Sequence, residues 1–82
     1  MRLDKYLKVS RIIKRRTVAN EACDGERVTV NGRIVKASYE VKTGDIICVR
    51  FGTKPLTVRV TGISETVRKD DAAGMYEVLT DI

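Results

Sequence analysis

The sequence predicts an α+β domain in which two N-terminal helices pack on a small curled sheet of about five strands. Three observations carry that reading. Apolar side chains recur at helical spacing as far as Asp24, and after Gly25 the period changes to two. Asn31-Gly32 then stands between two short β-branched runs, which is the strongest short-range hairpin signal. At 82 residues the chain is expected to form one domain, because chains this short rarely divide into two cores.

The first helix is read from Leu3, Tyr6 and Leu7, which recur at i, i+3 and i+4. Arg2, Lys5 and Lys8 fall beside that apolar face and project outward. Ser10 to Lys14 forms a connector whose isoleucines, Ile12 and Ile13, anchor it to the core. A second helix runs from about Arg15 to Asp24, with Val18, Ala19, Ala22 and Cys23 as its buried stripe and Gly25 as the C-terminal glycine. Arg27–Val30 and Arg33–Lys36 are the hairpin strands. A two-residue turn pairs Val30 with Arg33 and Val28 with Val35, leaving Thr29 and Ile34 on the opposite face. Gly44-Asp45 supplies a further turn before a buried strand from Ile46 to Phe51. Leu56 to Val60 alternates as a half-buried strand. Gly62 to Gly74 is polar, with a short helical turn near Arg68 to Ala73, and Met75 to Leu79 is the last strand.

Charge supplies the functional direction. The chain is +5 overall, yet residues 1–16 hold Arg2, Lys5, Lys8, Arg11, Lys14, Arg15 and Arg16 against Asp4 alone. The rest carries nine basic and ten acidic side chains. A solvated helix face is normally mixed in sign, so a basic segment on a balanced body favours a polyanion, and nucleic acid first. Arg15 and Arg16 also stand on the first turn of a helix, where cations oppose the helix dipole. A local rule broken twice in succession points to use by something outside the fold.

Enzymatic chemistry has little to stand on. There is no His, and Cys23 and Cys48 lack zinc-ligand spacing, so both are read as reduced thiols serving as small core residues. Asp70-Asp71 follows Arg68-Lys69 in a polar stretch and reads as solvated. Ser10, Ser38 and Ser64 have no nucleophile elbow, and the six glycines form no phosphate loop. No catalytic residue, metal or cofactor is therefore expected. No run approaches the roughly 20 apolar residues of a membrane span, and no cleaved leader is apparent, so a small cytoplasmic protein is expected.

Several segments together carry a resemblance. Arg2-Leu3-Asp4-Lys5-Tyr6-Leu7, Arg15-Arg16-Thr17-Val18-Ala19, Gly25 to Gly32, and Val41 with Gly44-Asp45-Ile46 occur in order at compact spacing. This resembles the S-four RNA-binding domain over about residues 1–50, with residues 51–82 as a C-terminal strand extension of the same single domain. Size and closing strands look closest to the stand-alone bacterial members, the fifteen-kilodalton heat-shock and RqcP-like group, and the missing basic tail favours the RqcP-like side. The resemblance implies a non-catalytic protein that binds structured ribosomal RNA of the large subunit and tRNA. Its setting would be dissociated large subunits carrying peptidyl-tRNA in ribosome-associated quality control, beside a nascent-chain tailing factor, with the free protein a monomer.

Carried over position by position, the family pattern assigns RNA binding to Arg2, Asp4 and Arg16. Arg11, Arg15, Lys5 and Lys8 extend the surface, and Thr17 adds a hydroxyl. Asp4 either holds a neighbouring arginine for phosphate capture or serves as a first-turn carboxylate favoured by the dipole. Arg15 stands where the family commonly has Ser, which removes the usual cap. With few aromatics, structured RNA is preferred to a single strand. Rivals stay open at this point: a general RNA-binding module or protein-interaction adaptor without a quality-control role, an anionic-membrane binder, or a detached targeting domain of an RNA-modifying enzyme or tRNA synthetase.

Overall fold

The computed structural model describes residues 1–51, 54–63 and 72–79. Helix α1 spans Leu3–Val9 and α2 spans Arg16–Asp24. Five strands follow: β1 Val28–Val30, β2 Arg33–Ile34, β3 Ile46–Phe51, β4 Lys54–Val60 and β5 Tyr76–Val78. They form one antiparallel sheet in the order β2-β1-β3-β4-β5, so the expected two-helix, five-strand α+β architecture is present.

Period-two alternation decides which sheet face meets the helices. Val28 pairs with Val49, Val30 with Ile47, and Ile47 with Val58, and all of these side chains are buried. Leu3, Tyr6 and Leu7 of α1 are fully buried against the same core, as the i, i+3, i+4 spacing predicts. The Tyr6 hydroxyl donates to the Met75 carbonyl at 2.7 Å, so α1 is tied to the segment that leads into β5. Burial pushes the Tyr6 phenol well above its usual range, with a further contribution from Tyr76. The chain start is pinned as well. Leu3 N donates to the Tyr39 carbonyl at 2.8 Å and Val41 N to the Met1 carbonyl at 2.9 Å, which holds Arg2 at the head of α1. Ile13 is buried and Ile12 half-buried, so the connector is anchored as expected.

The structure corrects several local expectations. Val18 is 45% exposed, not part of the buried stripe of α2. Ala19, Ala22 and Cys23 fill that stripe alone, since a nine-residue helix packed on one side buries a single narrow seam. Gly25 is the C-cap with φ −81°, and the left-handed residue is Glu26 at φ +60°. Glu26 N donates to the Cys23 carbonyl and Arg27 N to the Ala22 carbonyl, the two bonds of a Schellman ending displaced by one residue. The glycine is still useful where it stands, because a Cβ there would lie 3.2 Å from the Glu21 carbonyl oxygen.

The hairpin register is the predicted one, Val30 with Arg33 and Thr29 with Ile34, and Asn31 and Gly32 take φ +54° and +81°. Its second strand ends at Ile34, short of the expected Lys36. β3 alternates between buried Ile47 and Val49 and half-buried Ile46 and Cys48, so only one of its faces is enclosed. The second thiol is accordingly half-buried, unlike the buried Cys23, and both are free. β5 is shorter than expected because a 3₁₀ turn over Ala72–Met75 takes its first residue. Ser64, Arg68, Lys69 and Asp70-Asp71 lie outside the described residues, as does most of the turn expected at Arg68 to Ala73.

Candidate nucleic-acid interface

Asp4 is the centre of the basic end of the molecule. It sits in the first turn of α1 with its side chain only 3% exposed, and it collects donors from both helices. Arg2 Nε donates to Oδ1 at 3.2 Å and Arg2 Nη2 to Oδ2 at 3.4 Å. From α2, Arg16 Nε donates to Oδ2 at 3.3 Å and Asn20 Nδ2 to the same oxygen at 3.4 Å. Lys5 N donates to Oδ1 at 2.8 Å. The two readings of Asp4 are thus compatible, since one carboxylate accepts a first-turn N–H and also grips two guanidinium groups.

Burial raises the Asp4 pKa, and the bonds from Arg16, Asn20 and Lys5 N, with the Arg16 charge, more than offset it. The carboxyl is therefore held below its usual value of 3.8 and is ionised at neutral pH. A buried anion bound to two cations fixes the geometry of those cations. Arg2 and Arg16 stay 51% and 48% exposed, so their guanidinium groups are anchored at one edge and open to solvent. Arg16 gives only Nε to Asp4, which leaves both terminal nitrogens outside that bond. An arginine held this way loses less rotamer entropy when it meets a phosphate.

The remaining predicted residues surround this pair without joining it. Lys8 and Arg11 are exposed, on the last turn of α1 and just beyond it, and Lys5 is half-buried. Arg11 takes φ +63°, the left-handed position after a helix end. Arg15 is the exposed N-cap of α2 and makes no side-chain capping bond, in keeping with the loss of the usual Ser. Thr17 is exposed and lines an open hollow of about 360 Å³ together with Asp4, Arg16, Asn20 and Glu21. Asn20 and Glu21 were not singled out by the sequence reading. A helical amide or carboxylate carries no motif of its own. The available signal was i, i+4 spacing from Arg16 and Thr17.

A second buried carboxylate lies at the hairpin. Asp45 accepts from Asn31 Nδ2 at 3.1 Å, the Tyr39 hydroxyl at 3.1 Å and Lys42 N at 2.9 Å. Asn31 Oδ1 in turn accepts from Ile46 N at 2.9 Å. Asn31 is therefore a tie between the turn and β3 as well as a left-handed turn residue. Burial raises the Tyr39 pKa, and the bond to Asp45 adds to the rise. Among the described residues no helix is long and apolar enough to cross a membrane.

Known proteins share the architecture. The S4 domain family matches residues 1–47. A protein of Halalkalibacterium halodurans named RQC P-site tRNA stabilizing factor is 58% identical, over 95% of this chain and 89% of its own. Its namesake in Streptococcus pneumoniae is 54% identical, over 99% of this chain and 92% of its own. Among solved structures, heat shock protein 15 of Vibrio cholerae superposes with a TM-score of 0.88 at 33% identity, covering 95% of this chain and 80% of that one.

Proposed function

The chain belongs to the S4 domain family, and from that premise we propose that it is a non-catalytic RNA-binding protein acting in ribosome-associated quality control. Its ligands are structured ribosomal RNA of the large subunit and a tRNA in the P site, with a nascent-chain tailing factor working beside it in the cytoplasm. The observation that carries the reading is the Asp4 cluster, in which one buried carboxylate holds Arg2 and Arg16 half exposed at the basic end. Relatives more than 50% identical over nearly the whole chain carry the tRNA in their name.

The mechanism is placement. Arg2 and Arg16 offer guanidinium forks to phosphate oxygens, while Lys5, Lys8, Arg11 and Arg15 add charge around them. Spacing between the two helices fixes the spacing of the forks, so the surface selects RNA by shape. Binding at about six phosphates would lose roughly a thousandfold in affinity between about 50 and 200 mM salt.

Sucrose-gradient sedimentation of lysates containing tagged protein tests this. Wild type is expected with free large subunits carrying tRNA, and Arg16→Ala and Arg2→Ala at the top of the gradient. Wild-type protein remaining at the top would overturn the ribosomal reading.

A further inference from the structure

The helices cover one face of the sheet, and the opposite face is open. Strand register places Ile34, Thr29, Cys48 and Thr57 in one row across β2, β1, β3 and β4 on that open face. None of the four is charged, in a chain where 33% of residues are. Ile34 is 59% exposed and the other three are half-buried, so the row is flat and carries no long side chain. An arginine stands on each side of it. Arg50 lies two residues beyond Cys48 on β3, and Arg59 two residues beyond Thr57 on β4, in opposite directions because the strands are antiparallel. Arg59 is opposite Ile46, so about 14 Å of strand separates the two arginines, at about 3.4 Å per residue.

Both arginines are exposed. Arg59 Nη1 meets Glu77 Oε2 at 3.5 Å, which leaves its other nitrogens outside that contact. Arg50 is opposite Pro55 on β4, and its N–H donates to the Arg27 carbonyl at 2.9 Å, which sets it opposite Arg27 on the other side. Like charges placed opposite each other are destabilising. Arg27 has an internal reason for its place, since its Nε lies 3.7 Å from where a Gly25 Cβ would stand, at the C-terminus of α2, where a cation is favoured. Arg50 has none, and among the described residues it makes no ion pair. A cation that the fold does not use is available to an anion outside it.

We infer that the open sheet face is a second RNA-binding surface and that it takes the minor groove of a double-helical RNA segment. The arginines favour a polyanion. The row between them has no aromatic side chain, so it offers no stacking platform for single-stranded bases. Double-helical RNA has a wide, shallow minor groove lined with 2′-hydroxyls, and it is recognised by shape and by contacts to 2′-OH and phosphate. A flat row fits that groove, with the Thr29 hydroxyl against its 2′-OH groups. Arg50 and Arg59, on opposite sides of the row, reach the phosphates of the two bordering strands. This assignment rests on the RNA-binding reading above and extends it. With one RNA surface on the helices and another across the sheet, the protein holds two RNA elements at once.

The test is native mass spectrometry of the full-length protein with an excess of a short blunt RNA duplex. Wild type is expected to hold two duplexes, the Arg2→Ala, Arg16→Ala double variant one, Arg50→Glu one, and the variant with all three changes none. Arg50→Glu sets a carboxylate opposite Arg27 and is expected to melt no lower than wild type, so its lost binding is not a lost fold. A DNA duplex of the same sequence, which lacks the 2′-hydroxyls, is expected to bind the double variant about tenfold more weakly than the RNA does. A single duplex on wild type, two on Arg50→Glu, or equal binding of DNA and RNA by the double variant would overturn the inference. Two duplexes on the double variant, with the loss confined to Arg50→Glu, would instead remove the Asp4 cluster from RNA binding and leave the sheet face standing.

Discussion

Asp4 and Asp45 are the same residue type at nearly the same burial, 2% and 8% exposed, and they do different work. Asp4 is surrounded by charged donors from two helices, and those donors remain half exposed. Asp45 is bound by an amide, a phenol and a backbone N–H, which join the hairpin turn to the loop before β3. Burial alone therefore does not tell a functional carboxylate from an architectural one. The partners do. At Asp4 the donors are cations with free edges, and in the proposed function the carboxylate arranges that charge for RNA. At Asp45 they are neutral groups of the turn and the neighbouring loop, and the carboxylate ties the fold to itself.

The contrast is broken most severely by removing the architectural member. Asp45→Ala removes the acceptor of three bonds that join the turn to the sheet and is expected to cost about 2 kcal/mol, or roughly 10 °C in Tm, with RNA affinity unchanged while the protein is folded. Thermal melts and filter binding on the same sample check both halves. Asp4→Asn should reverse the pattern. Its arginines are half exposed and screened by water, so the stability loss is smaller, about 1–2 kcal/mol, but RNA affinity falls about tenfold because the guanidinium groups are no longer held.

Acidity tests the Asp4 cluster directly. The folded Asp4 pKa lies below its unfolded value, so its contribution is fully present above about pH 4 and is lost as pH falls through the depressed folded value. Wild type is thus expected to lose its advantage over Asp4→Asn between about pH 4 and lower pH, measured by urea unfolding across a pH series. An advantage that persisted at the acid extreme would place the stabilisation elsewhere. Tyr39→Phe gives the smallest effect, about 1 kcal/mol of stability with no change in RNA binding.

How legible these two sites were in the sequence follows from distance along the chain. The α1 face was readable because Leu3, Tyr6 and Leu7 lie within two turns, and the hairpin register because Asn31-Gly32 forces a two-residue turn. The tie of an arginine to Asp4 was read only through the family pattern. Arg16 came from the family pattern, since nothing local says that α2 returns it to a carboxylate twelve residues away. Asn20 was missed because a helical amide is anonymous until its partner is known. Asp45 was taken for a turn residue, and its bonds to Asn31 and Tyr39 cross between elements whose pairing only the folded sheet fixes. Val18 was misread because β-branched residues beside a small-residue seam look buried by composition. The seam of Ala19, Ala22 and Cys23 leaves no room for a wider stripe.

The central claim is that Asp4 acts on RNA through Arg16 and Arg2. A double-mutant cycle measures it directly, with affinity for one structured RNA determined for wild type, Asp4→Asn, Arg16→Ala and the double variant. Once Arg16 is gone, Asp4→Asn is expected to cost clearly less than it does in wild type, the remainder being its hold on Arg2. Additive losses, or an Asp4→Asn variant that binds as wild type does, would contradict the account.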